Sequence, residues 1–136
     1  MAEEVQATVD SKEEYKLPEL DPGAILCEYY KVIKKINTGG MGSIIYLVQN
    51  TNHNKYYAAK VIHKTPKTTE TSWNAFKDEL VTCWRVNNCP NIVHTYADDK
   101  TDPDRLVFIM DYVYGPTLRE LLVHQNHLSI DETLYI

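Results

Sequence analysis

Three glycines and a lysine are the residues of this sequence whose types and spacing point most directly to chemistry. Gly39, Gly40 and Gly42 fall within four residues, between two runs rich in β-branched and aromatic side chains. Glycine lacks a Cβ, so such a turn lets backbone N–H groups approach a ligand, and a concave row of N–H groups favours anions such as phosphate. Lys60 lies inside an apolar run, where an ammonium is costly unless a charged group meets it. Together these residues predict a phosphate site with a lysine directed at it.

The residues that follow the glycines distinguish between several kinds of glycine-rich turn. Any tight turn can require glycine, so the glycines alone are weak evidence. A dinucleotide-binding loop and a P-loop both open a helix, whereas residues 44–48 are β-branched and aromatic, which is typical of a strand. No Gly-Lys-Ser/Thr follows the glycines either. A glycine loop between two strands that lie over phosphates is the arrangement of protein kinases.

Hydrophobic periodicity predicts the elements that would position these residues. Apolar residues at three- and four-residue spacing predict a helix over about 72–87, with Ser72 as its N-cap and Pro90 beyond its end. Turn formers at 49–54 predict that the first three strands form an antiparallel meander. The predicted strands are 29–36, 44–48, 55–62, 92–97 and 106–112, and short helical stretches are predicted from Thr117 to about Val123 and after Leu128.

Five motifs in this order make the sequence resemble the N-terminal lobe of a protein kinase of the bacterial serine/threonine type, from about residue 23 to 136. The motifs are Gly39-Gly40-Met41-Gly42, Ala58-Ala59-Lys60, Phe76-x-x-Glu79, Pro90-Asn91-Ile92-Val93 and Met110-Asp111-Tyr112-Val113. The resemblance implies an α+β fold, with a five-stranded antiparallel sheet and one long helix. It divides the chain into an ATP-binding lobe over 23–112 and an incomplete stub, 113–136, holding the hinge and the first helices of the large lobe. The acidic residues 1–22 are expected to be a disordered leader.

The resemblance also implies a role for each matching residue. Lys60 would contact the α- and β-phosphates of ATP, and Glu79 would pair with Lys60. Taken alone, Glu79 also fits a solvated helix face, and Met110 also fits plain core packing. The expected nucleotide-binding residues are Ile36, Asn37, Gly39, Gly40, Met41, Gly42, Ile44, Ala58, Lys60, Met110 as gatekeeper, and Asp111 and Val113 through the hinge backbone.

Two departures from the family pattern qualify this expectation. Asn37 occupies the first loop position, where the family has glycine, and a stiffer, bulkier loop is expected there; its effect on nucleotide affinity is left open. The 136 residues contain neither His-Arg-Asp-x-x-x-x-Asn nor Asp-Phe-Gly, the motifs that supply the catalytic and Mg²⁺-binding aspartates. The resemblance therefore implies transfer of the ATP γ-phosphoryl group to Ser or Thr of proteins only with a further lobe. A non-catalytic pseudokinase and an interaction fragment are the alternatives.

Composition restricts the partners and the compartment. A hydrophobic fraction of 43% predicts a packed core, and no apolar run approaches the ~18 residues of a membrane span. Residues 1–28 carry a net charge of −6 and the remainder +1, without a basic stripe, so a nucleic-acid partner is not expected. The three cysteines lack metal-ligand spacing, so no metal site is expected from them; they are expected to be free thiols in a cytoplasmic protein.

Overall fold

A computed structural model of the chain describes residues 15–39 and 41–135. The strands are β1 (Ile25–Leu26), β2 (Tyr30–Thr38), β3 (Ser43–Asn50), β4 (Tyr56–His63), β5 (Thr95–Asp99) and β6 (Arg105–Asp111), and the helices are α1 (Glu70–Arg85), α2 (Leu118–Gln125) and α3 (Ile130–Tyr135). All strand pairs are antiparallel, in the order β1-β2-β3-β4-β6-β5. The predicted α+β architecture is confirmed. The sheet has six strands and not the five predicted, because β1 has only two residues and is too short to show a pattern in the sequence.

The two faces of the sheet are covered by different parts of the chain. Side chains alternate between faces along a strand, and directly paired residues of neighbouring strands share a face. On the outer face, Tyr46, Ala59 and Ile109 belong to one fully buried cluster. On the opposite face, Ile62 and Phe108 pack with Trp73 and Leu80 of α1, so this face is called the helix face. Lys60 pairs with Phe108 and therefore lies on the helix face.

The segment 15–24, immediately before β1, packs on the outer face. Leu17 and Leu20 contact the outer-face cluster, and the Leu20 N–H donates a hydrogen bond to the Tyr46 hydroxyl at 2.9 Å. Glu19 forms an ion pair of 2.6 Å with Lys35 of β2. The expectation of a disordered leader does not hold for residues 15–22, because two of their leucines pack against the sheet. The expectation for residues 1–14 lies outside the described part of the chain.

The N-cap of α1 lies three residues before the predicted one. Thr69 is the N-cap, since its side chain accepts a hydrogen bond from the Ser72 N–H while the Ser72 hydroxyl accepts one from the Thr69 N–H. Ser72, predicted as the cap, is instead the third helical residue and completes this reciprocal capping box. Thr117, where the second helical stretch was predicted to begin, is the N-cap of α2, with Glu120 as its capping-box partner. No helix within residues 15–39 and 41–135 is long and apolar enough to cross a membrane.

Candidate functional site

Lys60 and Glu79 form the ion pair that the sequence predicts. The Lys60 Nζ and Glu79 Oε1 atoms are 3.3 Å apart, where β4 passes beneath α1. The Lys60 ammonium also lies 5.5 Å from the centre of the Phe108 ring, which is its direct neighbour on β6. The side chains keep 26% and 46% of their accessible surface, so the pair is open to solvent and to a ligand. Its geometry suits a lysine held in a fixed direction by a carboxylate.

The glycine turn between β2 and β3 requires glycine at one described position in particular. Gly42 has φ +85°, and a Cβ at this residue would lie 2.7 Å from the His63 carbonyl oxygen. The Gly42 carbonyl accepts a hydrogen bond from the His63 N–H at 2.9 Å, which ties the turn to the end of β4. Met41, with φ 60°, is 72% exposed at the tip. Gly40 lies outside the described residues.

Asn37 does not need the left-handed backbone conformation that a glycine at its position would supply. It is the penultimate residue of β2, and its φ is not positive. A register shift makes Ile36 and Asn37 together oppose Ile45 of β3, as in a β-bulge. The Asn37 Oδ1 atom accepts a hydrogen bond from the Thr38 N–H at 2.8 Å. The turn therefore accommodates asparagine without backbone strain at this residue.

Ile44 does not lie at the position expected from the sequence. It pairs with Val61, is 1% exposed and belongs to the outer-face cluster, on the opposite side of the sheet from Lys60. Ile45 pairs directly with Lys60 and is half-buried on the helix face. Ile44 is thus corrected to a core residue, and Ile45 takes the position expected for it. The pairing register decides this, because a slip of one residue exchanges the two faces of a strand.

Ala58 and Met110 lie next to each other in one row of the helix face. Ala58 pairs with Leu47 on one side and with Met110 on the other, so the three side chains form an apolar surface one row away from Lys60. Ala58 is 7% exposed, and Met110 is half-buried against the α1 cluster. A larger residue at position 58 would project further from this face of the sheet. Ile36, 41% exposed, lies at the other end of this surface beside Ile45.

The two residues expected to offer hinge backbone groups differ in their surroundings. The Asp111 N–H already donates to the His94 carbonyl at 3.0 Å. Burial opposes ionisation of the Asp111 carboxylate, but hydrogen bonds from Tyr96 and from the His94 N–H outweigh it and lower the pKa of Asp111 below its usual value. Val113 is 67% exposed, just after the last strand. The backbone after β6 is thus held by hydrogen bonds at Asp111 and is exposed to solvent at Val113.

A large open cavity of about 1300 Å³ lies at a different place. It is lined by the segment 15–17, the turn residues Met41 and Gly42, the loop 65–68 and Phe76. The cavity borders the glycine turn but does not include Ala58, Lys60 or Met110. Its lining contains lysines but no carboxylate, so it lacks an ion pair like that of Lys60 and Glu79 on the helix face. Within the described ranges, no group of three or more His, Cys, Asp or Glu side chains is arranged to hold a metal ion.

The arrangement of the sheet, α1 and hinge is that of a kinase domain. The chain superimposes on a crystal structure of a kinase domain with a TM-score of 0.64 and 24% identity, over 81% of this chain and 31% of the other. This likeness defines the fold. The family model for the protein kinase domain matches residues 30–135. The chain therefore belongs to the protein kinase family.

Several curated relatives of the chain are bacterial proteins that are named as serine/threonine kinases. A putative serine/threonine-protein kinase of Mycoplasma genitalium is 33% identical over 137 residues, which covers 83% of this chain and 35% of the relative. A putative serine/threonine-protein kinase of Mycoplasma pneumoniae is 29% identical, over 83% of this chain and 34% of the relative. A probable serine/threonine-protein kinase of Clostridium perfringens is 28% identical, with 84% and 16% coverage. The chain spans about a third or less of the length of these relatives.

Proposed function

We propose that this chain is the ATP-binding lobe of a serine/threonine protein kinase. The observation that carries the proposal is the Lys60–Glu79 pair at 3.3 Å, on the same face as Ala58. A lysine held by a helix glutamate must be in place for kinases to act on ATP. In the proposal, the complete protein transfers the γ-phosphoryl group of ATP to Ser or Thr of protein substrates.

The proposal divides the site between phosphates and base. Lys60 would meet the α- and β-phosphates, beneath backbone N–H groups of the turn formed by Gly39, Gly40, Met41 and Gly42. The apolar base would lie between Ile36 and Ile45 above and Ala58 and Met110 at the back. The Asp111 carbonyl and the Val113 N–H would meet its polar edge. Asn37 would line the entrance to the nucleotide site, since Asn37 and Ile36 together lie opposite Ile45.

Magnesium accompanies ATP in this family, where it neutralises phosphate charge. The described residues do not fit the ion, because they contain no suitable cluster of carboxylates. The 136-residue sequence also lacks the motifs that hold Mg²⁺ and orient the attacking hydroxyl. We therefore expect the chain alone to show no phosphotransfer above background. We further propose the cytoplasm as its compartment, since Cys27, Cys83 and Cys89 are unpaired thiols of the kind that a reducing compartment maintains.

The proposal is tested by replacing Ala58. Ala58→Leu would fill the space assigned to the base, so ATP should bind at least tenfold more weakly. Tripolyphosphate, which has no base, should bind the variant and the wild type equally. Circular dichroism and thermal unfolding establish that the variant remains folded, and the smaller Ala58→Val should give an intermediate effect. Equal ATP affinity in folded wild type and Ala58→Leu would refute the proposed site.

One observation favours an interaction module as the second candidate. Leu118, Leu122, Ile130 and Leu134, on α2 and α3, are between 39% and 79% exposed. An apolar surface of this kind marks an interface or an aggregation liability. A chain that binds neither ATP nor tripolyphosphate but associates through these helices would fit this candidate and exclude the nucleotide-binding one.

A further inference from the structure

A hydrogen-bonded cluster lies behind the hinge, on the face of the sheet away from Lys60. The Asp111 Oδ1 atom accepts a hydrogen bond of 2.6 Å from the Tyr96 hydroxyl, and Oδ2 accepts one of 3.0 Å from the His94 N–H. The Asp111 N–H donates to the His94 carbonyl, also at 3.0 Å. Three hydrogen bonds thus join one residue at the end of β6 to the start of β5.

Tyr96 reaches Asp111 because β5 is irregular at this point. The pairing register shifts between Thr95 and Ala97, which leaves Tyr96 as an extra residue of the kind found in a β-bulge. Bulges re-aim a side chain. The Tyr96 ring then packs edge-on against Tyr57, with 4.9 Å between ring centres, and against His94 at 4.6 Å. Its direction is therefore fixed by rings on both sides.

The other end of the cluster is anchored to the loop that follows α1. The Asn87 side chain bridges the Thr95 backbone, accepting from its N–H and donating to its carbonyl, both at 2.8 Å. His94 is bonded to the Asn87 carbonyl through its ring at 3.3 Å. The first residues of β5 therefore hold Asp111, and Asn87 in turn holds these residues next to the end of α1.

We propose that the Tyr96 hydroxyl and the Asp111 carboxylate form a clamp that positions the hinge backbone for the adenine base. This inference rests on the proposed function. Val113 is only two residues beyond Asp111 and is exposed, so the direction of its N–H depends on how Asp111 is held. Tyr96 lies on the side of the sheet away from the base and is a positioning residue that does not touch the nucleotide.

The chemistry of the two groups suits a persistent contact. A phenol that donates to a carboxylate makes a short, charge-assisted hydrogen bond, stronger than one between neutral groups. The hydrogen bond to Asp111 raises the pKa of Tyr96 to about 12, so the phenol keeps its proton at neutral pH. The contact therefore does not depend on pH over the physiological range.

The test compares the 136-residue wild type with Tyr96→Phe, which removes only the hydroxyl. Amide chemical-shift titrations with adenosine and with tripolyphosphate report the base and phosphate halves of the site separately. Tyr96→Phe should weaken adenosine binding about threefold to tenfold and leave tripolyphosphate binding unchanged. This is less than the full value of a charge-assisted hydrogen bond, because Tyr96 acts on the base only through Asp111. Tyr29→Phe is the matched control, because Tyr29 is an exposed residue just before β2. It should change neither affinity.

A second pair of variants tests the acceptor. Asp111→Asn keeps an oxygen for the Tyr96 hydroxyl and should weaken adenosine less than Asp111→Ala does. Unchanged adenosine affinity in Tyr96→Phe would overturn the clamp, and so would equal weakening of adenosine and tripolyphosphate, which would indicate general loosening. Failure of the wild type to bind adenosine or ATP would refute the proposed function itself, and is recognised before any variant is compared.

Discussion

Replacing Lys60 with methionine separates a ligand-binding role from a structural one. Methionine keeps an unbranched apolar side chain and removes only the ammonium. The ion pair with Glu79 is partly exposed, with 26% and 46% of the two side chains accessible, and such pairs contribute ~0–1 kcal/mol. The contact with the Phe108 ring at 5.5 Å adds about 0.5–1 kcal/mol. The free energy of unfolding should therefore fall by only about 1 kcal/mol.

The effect of the same change on phosphate binding should be much larger. A charge-assisted hydrogen bond contributes about 1.5–3 kcal/mol, which is roughly 10- to 150-fold in affinity. Urea unfolding gives the free energy of unfolding, and titration of the same sample with ATP and tripolyphosphate gives the affinity for each ligand. Lys60→Arg, which keeps the charge, should retain part of the affinity. The reasoning is refuted if Lys60→Met lowers stability by more than about 3 kcal/mol or binds both ligands as tightly as the wild type.

Three further predictions follow from individual positions. Gly42→Ala should destabilise the chain by at least ~1–2 kcal/mol in urea unfolding, because its φ is +85° and the added Cβ meets a carbonyl oxygen at 2.7 Å; an effect below about 0.5 kcal/mol would contradict this. Ile44→Ala should cost ~2–5 kcal/mol of stability, whereas the half-buried Ile45→Ala should cost less and weaken ATP; the reverse pattern would restore the original assignment of Ile44. The Asp111 pKa is lowered in the folded state, so its contribution to stability is present above the ordinary value of 3.8 and is lost as pH falls through the folded pKa. Acid unfolding of Tyr96→Phe should therefore depend less on pH below 4, and an unchanged profile would show that the Tyr96 hydrogen bond does not hold that pKa down.

The sequence predicted the elements with a strong local signal. The strand with Lys60 and the helix with Glu79 have clear periodicities, and their motifs lie at kinase spacing, so the ion pair between them could be anticipated. The helix that begins after Thr117 could be anticipated because Tyr114, Gly115 and Pro116 break the preceding strand, and in the structure Glu120 completes the Thr117 capping box. Thr69 was missed because its partner is Ser72, which is itself a good N-cap residue.

Features that depend on tertiary pairing could not be predicted from the sequence. Ile44 and Ile45 are adjacent and identical, and only the register against β4 decides which one faces Lys60. The segment 15–22 belongs to an acidic stretch whose composition is typical of disorder, so the packing of Leu17 and Leu20 could not be predicted. Tyr96 acquires its contact with Asp111 through a bulge, and no motif marks that bulge in the sequence.

The most direct test of the central claim is an amide chemical-shift titration of the wild-type chain with ATP. The claim is that the nucleotide lies on the helix face, between the glycine turn and the hinge. It predicts saturable shifts at Gly39, Gly42, Lys60 and Val113, with Thr68 in the large cavity unaffected. Shifts confined to the cavity around residues 65–68, or no saturable shift at Lys60 and Val113, would contradict it.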